Sequence, residues 1–254
     1  MSAAFEIAGV GMQAQRQALE VSANNIANIN TPGFRRSTMR FSEIIGAADA
    51  VSRADLGGAG LSAGLTASAV VDWDAQGEIE RTGRALDLAI NGRGFIELVG
   101  AGGEVLLWRG GPLEVGEDGL LAAPNGAILR AGISVPDDAQ ALEISSDGQV
   151  RATFSDRRAS VELGHVPVVR VASYANVERL DGGYARVESA ASLIEATAGQ
   201  EGAGVFVQGA LERSSVDLNA EMVRLLIVQR AYAANVQVAQ AADQLSALAN
   251  NLRK

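Results

Sequence analysis

The stretch from 211 to 254 constrains this chain most. Ile227, Ala231, Ala234, Val238, Ala241, Leu245, Leu248 and Leu252 follow alternating steps of four and three, and all eight are apolar. A second seam, Met222, Leu225, Tyr232, Val236 and Ala239, lies on a neighbouring face. No Gly or Pro interrupts residues 210–254. The spacing predicts one helix of about 35 residues, roughly 50 Å long at 1.5 Å per residue. Asp217 or Ser215 is placed to cap its start, and Glu221 falls in its first turns. Such a helix outreaches a small domain and reads as a coiled-coil strand in search of a partner. Its many Ala permit close approach but bury little area each, so many helices must pack at once.

The opposite end carries a related pattern. Phe5, Ala8, Met12, Leu19, Ile26 and Ile29 recur at helical spacing, with Gln15 and Ser22 completing the series. A second row, Ala4, Ile7, Gly11, Ala14, Ala18 and Val21, runs beside it, giving a broad stripe of period near 3.6. Asn30-Thr31-Pro32-Gly33 ends the helix, because Pro32 restricts Thr31 to extended geometry and Gly33 permits a turn. Asn24, Asn25, Asn28 and Asn30 crowd this end at a cost in helix propensity. An ordinary cap needs fewer, so these amides are expected to satisfy backbone groups there or across a subunit contact.

The middle differs in kind. Short apolar runs, Phe95–Val99, Val105–Trp108, Leu142–Ser145, Gln149–Phe154, Val166–Ala172 and Gly204–Gln208, alternate with turn signals such as Asn91-Gly92, Asp118-Gly119, Asn125-Gly126 and Asp147-Gly148. That rhythm predicts an antiparallel β domain. The stretch 46–69, rich in Ala, Gly and Ser, reads as a linker or extended arm. Charge follows the same zoning. Residues 1–45 hold four Arg and three Glu, and residues 211–254 hold five basic and four acidic residues, each a net of +1. The region between carries 12 Arg against 23 acids, a net of −11, so it holds all the negative charge of a chain whose total is −9.

Composition removes several classes of function. The chain has no Cys and one His, which excludes thiolate sites and makes a His-built metal or triad site improbable. Its acidic balance argues against a nucleic-acid binder. The N-terminus lacks the pattern of a secretory signal, and no apolar run is long enough for a transmembrane helix. Asn91-Gly92-Arg93-Gly94-Phe95 lacks a third Gly and precedes a strand, so it reads as a tight turn rather than a nucleotide loop. His165 reads as an edge residue. Asp72, Asp74, Glu78 and Glu80 lack calcium-loop spacing and read as a solvated acidic hairpin. Arg35, Arg36 and Arg40 form a small basic patch beside Phe34, expected to meet an acidic neighbouring subunit.

Three motifs carry a resemblance. Asn24-Asn25-Ile26-Ala27-Asn28 through Thr31-Pro32-Gly33-Phe34-Arg35, then Leu86-Asp87-Leu88-Ala89-Ile90 with Gly92-Arg93-Gly94-Phe95, then Gly209-Ala210-Leu211-Glu212 with Glu221-Met222-Val223 and Gln229-Arg230-Ala231-Tyr232 stand in order along the chain. Together they resemble the flagellar axial family of rod and hook proteins. Departures are Ile96 after Gly-x-Gly-Phe, Leu107-Trp108-Arg109-Gly110-Gly111 in place of the usual Tyr-led strand, and Ser214-Ser215-Val216.

The resemblance implies an α+β fold. N- and C-terminal coiled-coil helices pair into an inner tube domain, around a central, mainly antiparallel β domain. The corresponding division is 1–45 for the N-terminal helix, 46–85 for a linker with a β hairpin, 86–210 for the β domain and 211–254 for the C-terminal helix. It implies a structural subunit that polymerises into a helical drive shaft around an export channel. The length between Phe41 and Leu86 favours the distal-rod branch over the proximal one. A free coiled-coil adaptor carrying a β domain is the remote alternative. Subunit contacts are expected at Leu19, Asn24, Asn25, Ile26, Asn28, Phe34 and Arg35, and along Ile227, Ala231, Ala234, Val238, Ala241, Leu245, Leu248 and Leu252. Implied partners are copies of the chain, other rod proteins below, hook protein above, the surrounding L- and P-ring bushing and the flagellar export apparatus. The implied location is the periplasm-spanning rod of the basal body, reached by flagellar type III export without a cleaved signal peptide. No catalytic residue, metal, cofactor, nucleic acid or small-molecule substrate is expected.

Overall fold

The computed structural model describes residues 2–44, 64–155, 160–187 and 192–251. The chain forms two compact units, a helical one from Met1–Ala27, Ser37–Val71 and Asp217–Lys254, and a β unit from Asn28–Arg36 and Asp72–Val216.

In the helical unit, α1 (Ser2–Ala27) packs along α2 (Leu218–Asn251). The α2 helix runs 34 residues, as its unbroken seam requires. Asp217 caps it, its Oδ1 accepting from the backbone N–H of Asn219 at 2.8 Å and of Ala220 at 3.2 Å. Those two donors have no intrahelical acceptor, so the cap satisfies them. Among the described side chains of α1, the buried ones are small or polar: Ala8, Ala14, Ala18, Ser22 and Asn25. A Cβ on Gly11 would stand 2.7 Å from Nδ2 of Asn235, so the two helices approach closely there. Strand β1 (Ser37–Ile44) pairs antiparallel with β2 (Gly64–Val71), from Ser37 opposite Val71 to Ile44 opposite Gly64. Residues 64–69 therefore form strand, where a linker was expected. Leu65 and Thr66 suit a pleated pair, and the Ala-Gly-Ser composition hid them. The rest of the expected linker, residues 46–63, lies outside the described residues.

The β unit is antiparallel at every strand pair among the described residues. Its largest sheet holds seven strands, in the order Val177–Arg179, Tyr184–Val187, Val105–Trp108, Ile96–Val99, Ile128–Leu129, Leu121–Ala122 and Glu114–Val115. A three-stranded sheet, Ala139–Ile144, Gln149–Phe154 and Val161–His165, stands separately. The core is built from Leu88, Ile90, Leu98, Leu121, Val150, Val168 and their neighbours. Turn chemistry holds the register: at Asp147-Gly148 the Gly has φ 98°, and a Cβ there would lie 2.3 Å from the Val166 carbonyl oxygen. Only Gly fits. The acidic segment 72–80 is not a hairpin. Ile79–Arg81 pairs instead with Ala210–Glu212, from far along the chain.

Candidate assembly interface

The long seam of α2 is uncovered. Ile227 is 61% exposed, Leu245 60% and Leu248 58%, while Val238, Ala234 and Ala241 are also exposed and Ala231 is half-buried. Leu252 lies outside the described residues. Met222, Val223 and Leu226 on α2, and Ile7 and Val10 on α1, are exposed as well. The α2 positions that are buried, Glu221 and Val228, lie on a different stripe. The buried residues of α1 and α2 are thus mostly small, and many of the bulky ones stay exposed. Large exposed apolar surfaces are uncommon on monomeric soluble proteins.

The Asn-rich motif works mostly inside its own chain. Asn25 is fully buried; its Nδ2 donates to the Ser37 carbonyl at 2.8 Å and to Glu221 Oε1 at 3.0 Å, and its Oδ1 accepts from Ser37 N–H at 2.9 Å. One side chain therefore ties together α1, β1 and α2. Asn28 Oδ1 accepts from the Thr31 hydroxyl at 3.1 Å. Leu19, Asn24, Ile26 and Asn28 are half-buried.

In the β unit, Phe34 and Arg35 are buried. The Arg179 guanidinium sits 4.7 Å above the Phe34 ring, a cation–π arrangement, and donates to the Arg35 carbonyl at 3.1 Å. Asn25, Phe34 and Arg35, expected at subunit contacts, are each buried within their own chain. The acidic partner of Arg35 belongs to the same chain: Nη1 lies 2.7 Å from Glu212 Oε1. Arg36 pairs with Asp72 at 3.3 Å, and Arg40 is exposed.

Glu212 is the centre of this cluster. It is 1% exposed and takes Arg35 on one oxygen and Arg109 on the other, with Arg109 Nη2 at 2.8 Å and Nε at 2.9 Å. Its Oε1 also accepts from Gly77 N–H at 3.0 Å, and its carbonyl accepts from Gly33 N–H at 2.8 Å. Arg109 donates further to the carbonyls of Gly94, Ile90 and Gly92, so it holds the Gly-x-Gly-Phe turn in place. Burial, with Arg109 next, pushes the Arg35 guanidinium down to about 10, against the opposing pull of Glu212. Arg35 stays charged at neutral pH.

Three family models match the chain. "Flagella basal body rod protein" covers residues 5–35, "Flagellar hook protein FlgE/F/G D1 domain" residues 89–152, and "Flagellar basal body rod FlgEFG protein C-terminal" residues 207–252. Among curated proteins, the flagellar basal-body rod protein FlgG of Agrobacterium fabrum is 32% identical over 96% of this chain and 97% of its own length. FlgG of Caulobacter vibrioides is 29% identical over 98% and 99%. The chain belongs to the FlgG family. The flagellar hook protein FlgE of Salmonella typhimurium is similar over a smaller part, 34% identical over 46% of this chain and 29% of its own.

The charge cluster maps onto these matches one residue each. Arg35, Arg109 and Glu212 come respectively from the N-terminal, D1 and C-terminal matched segments. Membership of the FlgG family makes this chain a structural protein of the flagellar basal body rather than an enzyme. Sequence reasoning missed Glu212 and Arg109 as a pair, although both stood in quoted motifs. Their signal was a charged residue set among apolar strand residues, in Leu107-Trp108-Arg109 and Ala210-Leu211-Glu212.

Proposed function

We propose that copies of this chain polymerise through the uncovered faces of α1 and α2 into a helical tube. The chain is a structural subunit of the flagellar basal-body rod, of the distal-rod kind. The observation that carries the assembly reading is the exposed row Ile227, Val238, Leu245 and Leu248 on a helix whose own partner contacts a different stripe. In water such a row is a standing cost, and burying each side chain returns about 1.5–3 kcal/mol. Contacts between unlike faces repeat without closing and so build a helical polymer. Near-neutral ends suit this dense packing, whereas the −11 of the middle would repel itself there. Leu19 and Ile26 on α1, and Ile227 through Leu248 on α2, are the residues assigned to the contact between copies.

The coiled-coil helices form the inner wall around an export channel. The polymer transmits motor torque as a shaft, joined to other rod proteins below and to hook protein above. The L- and P-rings surround it, and the subunit reaches its place through the flagellar type III export apparatus without a cleaved signal peptide. Replacing Leu245 or Leu248 by Asp tests this. Each places a charge where copies meet, so cells should lose motility and rod assembly while the purified chain keeps its β unit folded. Normal motility would rule out this face. A small closed oligomer of the purified wild-type chain would instead favour a coiled-coil adaptor.

A further inference from the structure

The Arg35–Glu212–Arg109 cluster is one charge short of neutrality. Two guanidinium groups share one carboxylate, and all three side chains are at least nine-tenths buried. Arg109 spends its other donors on the carbonyls of Gly94, Ile90 and Gly92. Arg35 donates to Glu212 and to the Ala75 carbonyl, and its Nε has no hydrogen-bond partner among the described residues. A buried charge without a full counter-charge is costly, and carbonyl dipoles offset it only in part.

Beside this cluster lies a cavity of about 170 Å³, lined among others by Arg35, Arg109, Arg93, Gln76, Trp73 and Tyr174. At roughly 30 Å³ per water in the liquid, it holds several small-molecule atoms or waters. Its wall is braced: Trp73 stacks on Tyr174 with centroids 5.8 Å apart and meets Phe95 edge-on at 6.0 Å. At the rim, Arg93 and Asp74 are exposed and pair at 3.3 Å, cancelling one another. The uncompensated charge is therefore the buried one.

We propose that this cavity is an oxyanion site, in which a phosphate or carboxylate group completes the counter-charge of Arg35 and Arg109. Guanidinium groups recognise both by the same charge-assisted hydrogen bonds. The source is either a free ion or an acidic side chain of another copy. The residues that line the site lie wholly in the β unit.

The test uses the full chain as monomer in chloride, inorganic phosphate and acetate at equal ionic strength, followed by thermal unfolding and tryptophan emission, since Trp73 lines the site. Expected is a rise of roughly 2–4 °C in midpoint in a binding anion over chloride, with a matching emission change. A response to phosphate alone assigns a free ion; a response to acetate assigns a carboxylate. Gln76→Glu sets a carboxylate in the cavity while keeping an oxygen for Gly92 N–H, which Gln76 Oε1 accepts at 3.2 Å. That variant should lose the anion response. Should it fail to fold, Arg93→Gln at the rim should weaken the response at least threefold. Equal midpoints in all three salts, or a response that survives both variants, would overturn the site.

Discussion

The two units solve the burial problem in opposite ways. In the β unit the large apolar residues are inside, and even its buried charges are paired with each other. Among the described residues of the helical unit the inside is mostly Ala, Ser and Asn, with Val228 and Glu221, and many large apolar residues are outside. The first is finished as a single chain. The second is not, because a helix pair stitched by small residues gains little from burial while exposing a row of Leu, Ile and Val. The division of labour fits the composition: the two near-neutral ends carry Ala suited to close helix packing, and the acidic surplus lies between them.

Substitutions that separate these two designs rank by their effect on the monomer. Glu212→Ala leaves Arg35 and Arg109 buried without their carboxylate and should cost about 3–5 kcal/mol, read as a fall in the chemical-denaturation midpoint of the β unit. Asn25→Ala strands the Ser37 backbone groups and Glu221 in the helical unit; a loss of about 1–3 kcal/mol is expected. Hydrogen exchange should show it along α1, with the β unit unchanged. Leu245→Asp, at an exposed site, should move monomer stability by no more than about 0.5 kcal/mol and yet abolish polymerisation. A large monomer effect there would erase the contrast between the units.

Acid provides a smaller probe confined to the β unit. Burial pushes the Asp87 carboxyl up, but hydrogen bonds from Arg84 and Thr82, with the Arg84 charge, outweigh it and hold the group below its ordinary value. A carboxyl depressed on folding stabilises fully above its unfolded pKa, about 3.9, and that share is lost as pH falls below it through the folded value. Asp87→Asn should therefore flatten the acid limb of the β unit's stability below about pH 4, leaving the helical unit's unchanged. An unaltered acid limb would remove Asp87 from the explanation.

Much of the architecture was legible because it rests on local rules. The step pattern gave α2, with Asp217 or Ser215 offered as its cap; the Gly turns gave the strands between Phe95 and Gln208. The partner of each helical face was not legible. Periodicity states that Ile227 to Leu248 share a face, but not whether α1 or another copy covers it. The buried stripe of α1 was hard to see because Ser22 and Asn25 are polar. Arg35 was misread for a related reason: its carboxylate lies far away in sequence, and a single chain gives no signal for a buried ion pair across 177 positions between Arg35 and Glu212. Strand β2 was hidden by small residues whose pairing depends on β1 rather than on their own propensity.

The claim that α2 is the face between copies has a direct test. The chain contains no Cys, so Leu245→Cys introduces a unique thiol at an exposed position. It is compared with a second variant, Glu143→Cys, on an exposed strand position of the β unit. Maleimide labelling is measured on the monomer and on purified rods. Assembly through this face predicts that Leu245→Cys labels readily in the monomer and becomes protected at least tenfold in the rod. Equal labelling of Leu245→Cys in both states would contradict it.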